Sequence, residues 1–337
     1  MTIAQRAAAP WGRLRAALAT GLRRFAPARA SASRPVAATV GIDPRPASGA
    51  VPSLSEPDRL RFSGAALVVV GAVLLGFAGY LGGISQLSAL RDQQLALQSI
   101  RYDLANGTAP VGQVGADGRL LAAGTPVAVL AIPELGVRQV VLEGTDAGTT
   151  MSGPGHRRDT VLPGQAGSSV IYGRQAAYGA PFARIADLAV GDELTATTGQ
   201  GEATYRVSGI RFTGDLVPAP LAAGAGRLTL VSGVGLPFAP SSVVRVDADL
   251  VSAPQPAPDR VLDYAALAPS ELTMAGDSSA WPLLTLALVL LALALVVLAL
   301  SRRLWGRWQT WIVAVPVLAA IGVLAAQRAA ALLPNLI

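Results

Sequence analysis

Three long apolar runs and one stretch of short alternating runs divide the chain. No charge interrupts the sequence between Arg61 and Arg91, and Phe62–Ile84 (FSGAALVVVGAVLLGFAGYLGGI) is strongly apolar. Trp281–Leu300 (WPLLTLALVLLALALVVLAL) has the same character, as does Thr310–Ala326, where Pro316 is placed to kink a helix. About 20 such residues cross the hydrocarbon core of a bilayer. The pattern therefore predicts three transmembrane helices, at 61–84, 280–301 and 310–331.

The intervening segment changes period twice. Leu87, Leu90, Leu97 and Leu104 recur at near-heptad spacing. They predict a stalk helix within 85–111, ended by Asn106-Gly107, with its apolar edge on its own domain. From Pro126 onward, PVAVLAI, VRQVVLEG, SSVIYGR, DELTATT, ATYRVSGIRF, RLTLVSG and VVRVDADL are short β-branched runs separated by Gly, Pro and Asp. That pattern predicts an all-β barrel or sandwich of seven or eight strands over 112–255, with one helical turn at GAPFARIADL. Leu228–Val231 reads as a strand that stops at Ser232-Gly233. Residues 256–279 read as a Pro/Ala linker back to the membrane.

Composition agrees with membrane residence: 52% of residues are hydrophobic and 14% charged. The net charge is +6, and all 27 basic residues are Arg, which with abundant Ala and Gly suggests a high-GC genome. Arg is not gathered on a folded module, so nucleic acid is not an expected partner. It crowds the arm before the first span (Arg6, Arg13, Arg15, Arg23, Arg24, Arg29, Arg34, Arg45, Arg59, Arg61) and the 302–309 loop (Arg302, Arg303, Arg307). The bias toward Arg in cytoplasmic loops places both inside, with Trp305, Trp308 and Trp311 at the interface. The β domain is then extracytoplasmic on a multi-pass cell-membrane protein. Within the mostly disordered arm at 1–60, Leu14, Leu18, Leu22 and Phe25 share a helical face with a basic rim. This face suits anionic lipid, a transit peptide or simply a solvated tail. A cleaved signal peptide is not expected, because the apolar run starts too far from the N-terminus.

Candidate chemistry is sparse. The chain has no cysteine and a single histidine, His156. Disulfides, thiolate metal sites and cysteine nucleophiles are excluded, and no cofactor or metal is expected. Asp146, Asp159, Asp187, Asp192 and Glu193 form no paired acid/base or ion-site spacing and read as turn residues or strand starts. The glycines of GVGLPF lack the following helix that a phosphate loop needs.

The run GTDAGTTMSGPGHRRDTVLPGQAGSSVIYGRQAAYGAPFARIADLAVGDEL resembles the middle of a sortase, nearest the class E-like enzymes of high-GC Gram-positive (actinobacterial) bacteria. RLTLVSG lies where sortases carry Thr-Leu-x-Thr-Cys, and VVRVDADL where they carry an Arg-led final strand. The resemblance covers about Thr125–Leu250 and implies a sortase-like β-barrel. It also implies a transpeptidase that cuts a sorting-signal peptide with a Cys thiolate, assisted by His and Arg, and passes the acyl group to an amine.

This sequence departs from that pattern at every catalytic position. Gly233 stands at the Cys position, Arg174 at the His position and Val243 at the Arg position, with Arg245 two residues on as a partial substitute. A thioacyl intermediate needs a thiolate, which Gly lacks. The expectation is a degenerate, catalytically inactive domain that acts as a binding or scaffolding module at the cell surface. Arg174, Thr229, Ser232 and Arg245 are its candidate groove residues. Its expected partners are the membrane and an extended peptide or cell-wall protein. One alternative is a Ser-dependent transpeptidase or hydrolase using Ser232, for which only His156 could serve as base. Another is an accessory subunit whose function lies with its spans and other membrane subunits.

Overall fold

The computed structural model describes residues 56–304 and 307–337. The predicted amphipathic face at Leu14, Leu18, Leu22 and Phe25 lies outside the described residues. Helix α1 (Glu56–Gly79) passes through a π-helical segment, Tyr80–Ile84, into α2 (Ser85–Asn106). The run ends where expected, on Gly107 at φ 66°, a left-handed conformation that glycine adopts without a Cβ penalty. Its inner face differs from the leucine pattern. Leu87 and Leu90 are exposed, and Ala96 and Ile100 pack instead on Val129, Val140 and Leu142, flanked by Leu97 and Leu104. The contact also uses Gln93, whose side chain accepts from Val140 N and donates to Val140 O and Ser152 O. The leucine spacing mimicked a coiled-coil seam, whereas helix-on-sheet contact here selects a small residue and a main-chain hydrogen bond.

The β domain closes into a barrel of β1 (Pro126–Ile132), β2 (Val137–Glu143), β3 (Gly155–His156), β4 (Gly167–Tyr172), β5 (Glu193–Thr198), β6 (Gly201–Phe212), β7 (Gly226–Leu236) and β8 (Ala239–Leu250). The order around the barrel is β1-β2-β3-β4-β7-β8-β6-β5, and β5 pairs back on β1. Alternation sets the faces. Along β6, Ala203, Tyr205 and Val207 are buried, while Glu202, Arg206 and Ser208 are exposed. The interior is a single cluster that includes Leu130, Ile132, Ile171, Phe182, Leu194, Tyr205, Leu228, Leu230 and Val246. β4 and β7 run parallel, so the long crossover between them carries β5 and β6.

The 256–279 segment lies along the barrel as a strap. Gln113 Oε1 accepts from the Val261 and Leu262 amides, Thr145 Oγ1 donates to Glu271 O, and the Tyr172 and Thr273 hydroxyls are 2.5 Å apart. The strap leads into α4 (Trp281–Leu304) and α5 (Arg307–Ala331), which pack through Leu284, Ala287 and Ala325. Pro316 lies inside α5 as expected. Among the described residues, three helical runs are long and apolar enough to cross a membrane. Tyr80 and Leu81, Ala280 and the Ala326–Ala331 end of α5 meet in one apolar cluster with Tyr178 of the barrel. The end of α1, the start of α4 and the end of α5 therefore gather at the barrel. The start of α1 and the α4–α5 connection lie at the far ends of their helices.

Candidate functional site

On β7, Leu228 and Leu230 point into the core, so Thr229 and Val231 point outward. The outer faces of β4, β7 and β8 contribute Val170, Tyr172, Val231 and Val243 to a small apolar cluster, with Met274 of the strap packed on it. β7 does not stop at Ser232-Gly233. It continues to Leu236 and turns through Pro237-Phe238 into β8. This hairpin sets Gly233 opposite Val243 and Val231 opposite Arg245. Arg174 follows the end of β4. The preceding Gly173 donates its N–H to Val231 O at 2.9 Å and accepts from Ser232 Oγ at 2.9 Å. A Cβ placed at 233 would lie 3.0 Å from Gln175 Oε1. Gly233 and Val243 are thus cross-strand partners, and Arg174 lies between Gly173 and Gln175, both of which reach the same end of β7.

Arg174 is the largest of the fully buried side chains, at 1% exposure. Its Nη1 donates to Ile337 O at 2.5 Å and its Nη2 to Ala147 O at 3.1 Å, while Nε has no partner among the described residues. The guanidinium carbon sits 5.1 Å from the centroid of the Tyr178 ring, within cation–π range. Burial pushes its pKa down to about 10 against the opposing pull of Tyr178 and Asp146, so the group stays cationic near neutral pH. It neither takes nor gives a proton there.

The other candidates fall on different faces. Ser232 shares the inward parity of Leu228 and Leu230, is fully buried, and donates to Gly173 O, so it does not line the groove. Thr229 faces outward, but its hydroxyl donates to Asp247 Oδ1 at 2.7 Å, and Asp247 also pairs with Arg211. Arg245 is half-buried on the same face as Val243, beside Val231 of β7 and Arg211 of β6.

His156 is fully buried in β3, on the far side of β4 from β7. Its Nδ1 lies 2.9 Å from Glu143 Oε2, and its Nε2 lies 2.9 Å from Val161 O and 3.1 Å from Thr160 Oγ1. Burial alone would lower its pKa. The Glu143 carboxylate and the Val161 carbonyl outweigh burial and hold it above the ordinary histidine value. His156 belongs to a buried pair with Glu143 on the far side of β4 from Ser232, and is not a base for Ser232. Asp146, read as a turn residue, caps a short helix α3 (Ala147–Ser152) by accepting from Thr149 N and Thr149 Oγ1.

Sequence reasoning missed the groove's occupant. Pro334 follows the end of α5, and the next residues return to the barrel. Leu336 is fully buried in the Val170, Tyr172, Val231 and Val243 cluster. Its carbonyl accepts from Gln175 N at 2.9 Å, and that oxygen would lie 3.3 Å from a Cβ at 233. Asn335, also fully buried, donates Nδ2 to Thr145 O and Leu272 O and its N–H to Ala275 O. One signal for it existed. The charge-free hexapeptide Leu332–Ile337 follows a helix long and apolar enough to cross a membrane, and such a segment needs an apolar surface to cover it.

Residues 130–232 match the family described as "Sortase domain". "Sortase D" of Bacillus subtilis (strain 168) is 33% identical over 79 residues, covering 23% of this chain and 38% of that protein's own length. Among solved structures, a Clostridium perfringens Sortase D5 transpeptidase aligns at 20% identity with a TM-score of 0.41, over 48% of this chain and 99% of that one. The SrtF sortase from Corynebacterium diphtheriae aligns at 22% identity with a TM-score of 0.34, over 39% of this chain and 87% of that one.

Proposed function

Residues 130–232 being a sortase domain in a chain without a cysteine, we propose a membrane-anchored, catalytically inactive module that binds or scaffolds at the outer face of the cell membrane. The observation that carries the reading is the state of the three degenerate positions. Gly233 offers no nucleophile, Val243 across the hairpin offers no charge, and the guanidinium of Arg174 is fixed on main-chain oxygens. Covalent acyl transfer needs an activated nucleophile with a base in reach. The Ser-dependent alternative loses support because the Ser232 hydroxyl is buried and donates to Gly173 O.

The orientation we favour puts the arm at 1–60 and the 302–309 loop in the cytoplasm, on the Arg bias of both. The gathering of the end of α1, the start of α4 and the end of α5 at the barrel is compatible with it. Partners we propose are the lipid bilayer and an extended peptide of a cell-surface or cell-wall protein. The test incubates the full chain in nanodiscs with sorting-signal-like peptides and an amine acceptor, with product masses read over time. No cleaved or transferred product is expected. Turnover that disappears in Ser232→Ala would overturn the inactive reading.

A further inference from the structure

Leu332–Ile337 meets the barrel as an extended peptide ligand meets a groove. One aliphatic side chain, Leu336, is sunk in a pocket, and successive main-chain groups are bonded on both sides. Asn335 N donates to the strap at Ala275 O, Gln175 N donates to Leu336 O, and Arg174 Nη1 donates to Ile337 O. The segment also comes close to position 233, where a side chain would meet the Leu336 carbonyl as well as Gln175 and Pro240. We propose that Leu332–Ile337 is a displaceable ligand of its own groove, a latch whose release by movement of α5 opens the groove to an extended peptide. This rests on the reading of the groove as a non-catalytic binding site and names its regulation.

The covalent link makes the mechanics definite. Asp277 N donates to Ala331 O, and Gly276 packs so closely on Leu332 that a Cβ there would meet the Leu332 carbonyl. The bound residues therefore follow immediately from the last turn of α5, with no slack. A shift of α5 along its axis by one turn, about 5.4 Å, would pull Leu336 from its pocket. While α5 stays in place, a short tether holds the latch at an effective concentration on the order of millimolar, so a free peptide of equal quality competes poorly. An emptied groove presents an aliphatic pocket beside a cation that has lost one of its two acceptors. It then selects a peptide with a Leu-like side chain one residue before an exposed main-chain or carboxylate oxygen.

The test uses the full chain in nanodiscs with Val243→Cys, which places the protein's one thiol beneath Leu336. Maleimide labelling rates are compared with and without deletion of residues 334–337, and in Leu336→Ser as a milder release. Both releases are expected to speed labelling by about tenfold or more, the scale of uncovering one buried leucine. The peptide Leu-Leu-Pro-Asn-Leu-Ile is expected to slow labelling again in the deleted chain, and its variant with Asp for the second-last Leu is not. Equal labelling in latched and released chains overturns the proposal. So does fast labelling of the deleted chain that the peptide fails to slow. Thermal unfolding of each variant is read in parallel, and a deletion that unfolds passes the decision to Leu336→Ser, whose labelling the same peptide must slow. Cleavage of the peptide, read by mass on the same samples, would sink the inactive reading separately and leave the latch result intact.

Discussion

Arg174 and Ile337, 163 positions apart in the chain, are joined by a hydrogen bond from the guanidinium to a main-chain oxygen. The same guanidinium lies over Tyr178, whose hydroxyl donates to that of Tyr80 in the π-helical segment, and whose N–H donates to Ser85 Oγ. Contacts therefore run from the end of α1 through Tyr178 and Arg174 to the segment after α5. The sortase resemblance places a proton-cycling His at 174. This chain instead places a permanent cation there and uses it to hold two helix ends to the barrel.

Replacing Arg174 tests that structural role. Arg174→Gln should lower the stability of the barrel by about 3 kcal/mol, since hydrogen bonds to charged groups are worth about 1.5–3 kcal/mol each and two are lost. Arg174→Lys should recover only part of this, because an ammonium cannot span the Ile337 and Ala147 oxygens as the planar fork does. Chemical denaturation of the three proteins, followed by barrel circular dichroism, decides it. A neutral Gln variant would mean that the two bonds contribute nothing net.

Ser232 offers a cleaner separation of fold from chemistry. Ser232→Ala removes the donor to Gly173 O within a buried stretch of β7, so a loss of about 1–3 kcal/mol is expected. No change in peptide turnover is expected, because there is none to lose. The two readouts are a denaturation midpoint and a product mass. Detectable wild-type turnover abolished by this substitution is the outcome that contradicts the reading.

Much of the barrel was legible because strands advertise themselves by alternation and by the Gly, Pro and Asp between them. The parity of Ser232 was equally legible, two residues past Leu230 and four past Leu228, and it already points inward. The length of β7 was hidden by Gly233 and Gly235, which weaken strand propensity, while the β8 pairing carries the strand on through a register shift between Val234 and Gly235. The edge of α2 packs on its own domain through Leu97 and Leu104, but Leu87 and Leu90 stay exposed, and the close contact with the sheet is made by Ala96, Ile100 and Gln93, which leucine spacing does not mark. The occupant of the groove left only a composition signal, the charge-free run Leu332–Ile337, and its docking was not legible. It depends on where α5 ends in space relative to the barrel, which no local pattern encodes.

The Glu143–His156 pair gives the barrel a pH dependence of known sign. The folded pKa of His156 is raised above its unfolded value, so its contribution is fully present below about pH 6.5 and is lost as pH rises through the folded pKa. The thermal midpoint should therefore fall as pH rises above about 6.5 and through the folded pKa. The fall should flatten in Glu143→Gln, which removes the carboxylate that raises the imidazole. His156→Ala should be costlier, about 3–5 kcal/mol, because it strands a buried carboxylate. A midpoint that rises with pH over this window would contradict the assigned direction.

Gly276 tests the strap without touching the groove. A Cβ at this position would lie 2.2 Å from the Leu332 carbonyl oxygen, which belongs to main chain and cannot rotate away. Gly276→Ala must therefore push the strap and the end of α5 apart, stretching the Asp277 N to Ala331 O bond and the Asn335 N to Ala275 O bond. The expected result is faster proteolysis after Leu332 and faster hydrogen exchange at the Asp277 and Asn335 amides, by about tenfold for each 1.4 kcal/mol of local opening. Exchange at core β7 amides such as Leu228 and Leu230 should not change. If those core amides exchange faster by the same factor, the strap and the barrel unfold together, and the segment after α5 has no opening of its own.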